Sequence, residues 1–166
     1  MSRQAHGGRT YKDKDKERTT KMKFVYDDGG RSAAGYKGST GDCVCRAISI
    51  ATGKPYQEVY DLINVMARGE RRGRRKRGIS SARSGVYKRT IHKVMNALGW
   101  EWHPTMTIGS GCKVHLLDGE VPNGSLVVSL SHHCTAVIDG VIHDTHDPSR
   151  DGTRCVYGYF SKREVA

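Results

Sequence analysis

Cys43, His133 and Asp144 are the residues of this chain from which nucleophilic chemistry can be assembled. A thiol attacks as its thiolate, an imidazole can take and return the proton, and a carboxylate can fix the orientation of the imidazole. The three lie far apart in sequence, so the elements that carry them decide whether they meet.

Cys43 opens the run Cys43-Val44-Cys45-Arg46-Ala47-Ile48-Ser49-Ile50-Ala51-Thr52. At about 100° per residue, Cys43, Val44, Ala47, Ile48, Ile50 and Ala51 share one arc, and Cys45, Arg46, Ser49 and Thr52 share the other. The pattern predicts a helix with one buried face, Asp42 as N-cap and Gly53 as the C′ residue. Cys43 then sits near the positive end of the helix dipole, which favours thiolate over thiol.

His133 and Asp144 belong to a hairpin. Asp139-Gly140 between the apolar runs 134–138 and 141–142 is a strong turn signal. With a two-residue loop, Ile138 faces Val141, Val137 faces Ile142 and Ala136 faces His143. Alternation then puts His133, Thr135, Val137, Ile142, Asp144 and His146 on one face. His133 and Asp144 become diagonal neighbours, about 7–8 Å apart at the backbone and within side-chain reach. The carboxylate can accept from one ring nitrogen and leave the other to face a thiol. An odd-numbered loop breaks this match.

The other cysteines and histidines are weaker candidates. Cys45 falls on the polar arc and reads as incidental, Cys134 faces away from His133 and packs, and Cys112 and Cys155 have no obvious partners. Five irregularly spaced cysteines do not make a disulfide framework. His143 and His146 point to opposite faces and no Cys-x-x-Cys pair occurs, so no metal site is expected. His92 reads as a surface residue.

The positioning elements follow from periodicity. Residues 54–66 and 86–98 repeat apolar positions at helical spacing, the first with Pro55 at its start. From Trp100 the period changes to two, with strands expected at 100–102, 125–131, on either side of Asp139-Gly140, and at 154–160. Helices first and strands after make an α+β fold with an antiparallel sheet. At 166 residues one domain is expected, here 36–166, preceded by a basic, partly disordered arm, 1–35, in which only 22–26 could form a short strand. No signal peptide or membrane span is evident, and a reducing, cytoplasmic setting is expected, with no membrane partner.

The formal charge is +11. Seven of the cations fall in the eleven residues 68–78, which read as a solvated loop. Arg71, Arg72, Arg74, Arg75, Lys76 and Arg77 could grip a polyanion, although no aromatic is interleaved to stack bases.

The opening Gly41-Asp42-Cys43, the His133 that follows the apolar strand 126–130, and Asp144 on the next strand resemble a papain-like cysteine peptidase. The compact form similar to the bacteriocin double-glycine peptidases fits best, and the whole also resembles small proteins of bacteriophages and mobile elements. The resemblance spans roughly Gly41 to Tyr159 and keeps the order Cys, His, Asp. It implies a papain-like fold with the nucleophile on the first core helix. It also implies Cys43 as nucleophile, His133 as general base then acid, Asp144 as orienter, a peptide or protein substrate, and no cofactor. A phage origin would place the protein in bacterial cytoplasm. The family's oxyanion glutamine, six residues before the cysteine, is Lys37 here. The Cys43 N–H remains as a donor, with Lys37, Ser39 or Thr40 to help it.

Two functions are therefore expected as alternatives. One is a thiol-dependent amide or peptide hydrolase using Cys43, His133 and Asp144. The other is a basic module on an inactive peptidase fold, holding nucleic acid or an acidic host protein.

Overall fold

The computed structural model describes residues 20–74 and 78–165. Three helices come first after one short strand: β1 (Lys23–Tyr26), α1 (Cys43–Thr52), α2 (Tyr56–Ala67) and α3 (Lys88–Ala97). Five strands follow: β2 (Trp100–Pro104), β3 (Ser125–Leu130), β4 (His133–Ile138), β5 (Val141–Asp144) and β6 (Gly158–Lys162). They form one six-stranded sheet in the order β1-β5-β4-β3-β6-β2. The α+β class holds, and the sheet is antiparallel except at one edge, where β1 runs parallel to β5.

The register at the Asp139-Gly140 turn is Ile138 with Val141, Val137 with Ile142 and Ala136 with His143, as the two-residue loop requires. The last strand begins at Gly158 rather than Arg154; residues 154–157 run irregularly, with one isolated bridge from Cys155 to His115.

Each face of the sheet has its own core. On one, Val44, Ile48, Ile63, Val94 and Met95 of the helices pack over Val127, Ala136 and Phe160. On the other, Leu126, Val128, Val137 and Ile142 are covered by Leu116, Val121 and Val156 from irregular segments and by Met22. Burying both faces explains why β3 and β4 read as continuous apolar runs.

Residues 20–36 belong to this fold: Met22 is buried, and β1 is laid along β5. The rest of the N-terminal arm, residues 1–19, lies outside the described residues.

The sequence expectation for the cysteines is corrected at one pair. Cys112 and Cys155 form a disulfide with Cα atoms 5.8 Å apart. It ties the irregular cover over the second core to the segment before β6, and it removes the cysteine pattern as a ground for a reducing compartment. Among the described residues no helix is long and apolar enough to cross a membrane.

Candidate active site

Helix α1 is buried on nearly every side. Gly53 ends it in the left-handed region (φ 72°), as a C′ glycine should. Its expected polar arc is not solvated: Cys45 is fully buried in the core, and Arg46 and Ser49 are buried too. The Cys45 thiol is pushed up to about 12 by burial, so it is inert. Asp42 precedes the helix but makes no side-chain cap. Its carboxylate instead accepts from Tyr56 Oη at 2.6 Å and pairs with Arg31 Nε at 3.1 Å and with the Arg46 guanidinium.

Arg46 lies one helical turn past Cys43, and its Nη2 is 3.5 Å from Asp144 Oδ1. A buried ionic chain thus runs from Arg31 through Asp42 and Arg46 to Asp144 and joins the start of the nucleophile's helix to the end of β5. Nothing in the apolar periodicity signalled it. An arginine with a helical turn of apolar neighbours was the one available hint.

At the far end of this chain, His133 Nε2 is 2.7 Å from Asp144 Oδ2, the pairing that the hairpin register anticipates. Asp144 Oδ1 accepts from the Thr145 N–H at 2.7 Å. Both carboxylate oxygens are therefore committed, and the acid has one orientation. With Nε2 committed as donor, the neutral ring presents the Nδ1 lone pair. His133 and Cys43 lie close enough for each to shift the pKa of the other, and the Cys134 N–H also favours the Cys43 thiolate.

By alternation His133 shares a face with Val137, while α1 packs on the opposite face through Ala136 and Cys134. The pair forms because His133 is the first residue of β4 and Cys43 the first of α1, so they meet where the sheet ends.

The electrostatics follow from these contacts. Burial raises the Cys43 thiol, but the bond to His133, the Cys134 N–H and the charges of His133 and Arg46 bring it below its ordinary value. Burial lowers His133, but its bonds to Asp144 and Cys43 outweigh this and raise it to about 9. Burial raises Asp144, and His133 on Oδ2 more than reverses that. All three shifts favour a thiolate–imidazolium pair backed by a carboxylate.

Cys43 and His133 line one cleft of about 410 Å³. Its opposite wall is Ser84, Gly85 and Val86, a tight loop closed by mutual hydrogen bonds between Ser81 and Gly85 at 2.8 and 3.0 Å. Tyr157 and the exposed His132 complete the rim, and none of these wall residues is a site candidate in the sequence. A Cβ on Gly41 would lie 2.9 Å from the Ser84 carbonyl oxygen, closer than packed atoms tolerate. Gly41→Ala should push the loop outward and lower stability by about 1–3 kcal/mol, read as an earlier urea midpoint.

The oxyanion candidates stand apart from this lining. Lys37 is exposed, and its carbonyl accepts from Arg31 at 3.2 Å. Thr40 Oγ1 is buried with no hydrogen-bond partner among the described residues. The first-turn N–H groups of α1 have no acceptor within the helix and start at the cleft.

Of the basic loop, Arg71, Arg72 and Arg74 are exposed, and Arg75, Lys76 and Arg77 lie outside the described residues. His92 is not a plain surface residue. Its ring packs edge-on against Trp102 and Phe160, each at 5.0 Å, and burial lowers its pKa.

Fold and site together define an α+β chain with Cys43, half-buried His133 and buried Asp144 gathered at the end of its sheet. Comparison with known proteins finds no matching family model, no matching curated protein and no matching solved structure.

Proposed function

We propose that this protein is a thiol-dependent amide hydrolase of the papain-like kind, with Cys43 as nucleophile, His133 as base and acid, and Asp144 as orienter. The observation that carries the reading is the His133 ring held 2.7 Å from Asp144 on one nitrogen while His133 and Cys43 line one open cleft and shift each other's pKa.

The chemistry balances with these residues alone. The Cys43 sulfur forms a bond to the carbonyl carbon, and the charge on the carbonyl oxygen is met by N–H groups at the start of α1. The C–N bond then breaks, and imidazolium His133 gives its proton to the departing amine. Water, activated by the now neutral ring, attacks the thioester and frees the acid and the thiol. Asp144 keeps Nε2 as donor throughout and stabilises the charged ring.

The test is incubation with a mixture of unstructured peptides, followed by mass spectrometry for new termini. Cleavage should vanish in Cys43→Ala and persist in Lys54→Ala. It should also fall as pH rises past about 9, where His133 loses the proton that the leaving amine needs. New termini that survive Cys43→Ala would overturn the reading.

A further inference from the structure

Lys88 lines the cleft that holds Cys43 and His133, and it also lines a second cavity of about 740 Å³. That cavity is bounded by Arg71, Arg89 and Lys93 as well, and Tyr87 is its one aromatic. Its one carboxylate, Glu70, is engaged: Oε2 accepts from the Ser80 N–H at 2.8 Å and Oε1 from the Thr90 hydroxyl. The four cations make no ion pair with any described residue. Lys88 Nζ sits 5.4 Å over the Trp102 ring, and the first turn of α3 carries no acid. A concave wall of cations with no ion pair among the described residues therefore begins where the catalytic cleft ends.

We propose that this basic cavity is a substrate subsite that selects peptides with several Asp or Glu side chains on one side of the scissile amide. The inference rests on the hydrolase reading for the word substrate, and its binding step does not require turnover. An extended peptide advances about 3.3 Å per residue, so a chain lying in the cleft carries its next few side chains past Lys88 into the cavity. Four cations around a partly enclosed space attract carboxylates more strongly than the same charges spread on an open face. Single-stranded nucleic acid fits less well, because it uses successive stacking faces and the cavity offers only Tyr87.

The test uses full-length Cys43→Ala protein, so binding is read without cleavage. Two fluorescein-labelled eight-residue peptides are compared by anisotropy: both have one neutral half, and the other half is Asp/Glu in one and Asn/Gln in the other. The acidic peptide should bind about tenfold tighter, through several exposed charge pairs that each contribute modestly, and the gap should close with added salt. In Arg71→Gln/Arg89→Gln/Lys93→Gln protein, checked for folding by its thermal melt, the preference should disappear, and Lys93→Glu should reduce it alone. Equal affinities in the Cys43→Ala protein, or a preference that survives the triple change, would overturn the proposal. So would displacement of the acidic peptide by a single-stranded oligonucleotide at concentrations where unlabelled acidic peptide fails to compete. Absence of the acidic preference in the Cys43→Ala protein, while the native protein shows Cys43-dependent cleavage, refutes only the subsite; absence of such cleavage by the native protein, with the acidic preference present, refutes only the hydrolase.

Discussion

Cys43 should alkylate with iodoacetamide at pH 6 far faster than a free thiol, while Cys45 and Cys134 in the same molecule stay unmodified. These are the three free cysteines. Cys43 is half-buried beside an open cleft and its pKa is lowered; the other two are buried and theirs are raised, chiefly by burial. A lowered thiol pKa means that thiolate persists to lower pH, so the rate should fall off at a lower pH than the ordinary thiol value of 9.0 would give. Cys43→Ala should remove the fast label altogether. His133→Ala should slow it about 10–100-fold at pH 6, because the thiolate loses its counter-ion while the remaining thiolate becomes a slightly better nucleophile. A rate in the native protein that follows the ordinary thiol value of 9.0, with no displacement to lower pH, is the signature of an unpaired thiol. It would remove the ground for calling Cys43 a nucleophile. Peptide mapping of the labelled protein distinguishes the three cysteines directly.

Replacing Arg46 by methionine should be the most damaging single change outside the catalytic residues. The side chain is 9% exposed, and its two carboxylate partners, Asp42 and Asp144, are 0% and 4% exposed. Solvent therefore does little to screen the charges left behind. Removing one partner of such a buried network costs about 3–5 kcal/mol, most of it from carboxylates left in a medium that cannot solvate them. Arg31 and Tyr56 still hold Asp42, so the larger disturbance falls on Asp144. Equilibrium urea unfolding measures the loss. Arg46→Lys should recover part of it, since the charge returns without the planar fork that spans two carboxylates. A second readout separates a structural role from an electrostatic one. Arg46 lowers the Cys43 pKa, so in Arg46→Met the pH at which alkylation falls off should move upward. A stability loss below about 1 kcal/mol would mean that the network contributes no more than an exposed pair.

The hairpin was legible in the sequence because a two-residue Asp-Gly loop leaves one register, and one register fixes which side chains share a face. His133 and Asp144 follow from that geometry alone. The start and stop of α1 were legible for a similar reason: a C′ glycine and an abrupt apolar period are local signals. The polar arc of α1 was misread because periodicity separates apolar from polar residues without saying whether the polar ones have partners. Arg46 is buried because Arg31, Asp42, Tyr56 and Asp144 converge from separate segments, and no local pattern reports such convergence. The bond between Cys112 and Cys155 was equally hidden, since both lie in irregular chain 43 residues apart. The sequence supports β1 only as a possible strand. Four residues with exposed side chains do not announce the edge they will join, still less that they will run parallel to it.

The position of β1 and β6 in the sheet has a consequence for synthesis. Lys23 pairs with Val141, the Asp27 N–H reaches the Asp144 carbonyl at 2.9 Å, and β6 is inserted between β3 and β2. A chain leaving the ribosome N-terminus first therefore exposes its earliest strand and its cysteine long before the matching strands exist. Strand pairings of such long sequence separation form slowly, after their loop-closure entropy has been met. The nascent thiol therefore lacks its imidazole until β4 and β5 have been made and folded against α1, and the lowered Cys43 pKa should appear only then.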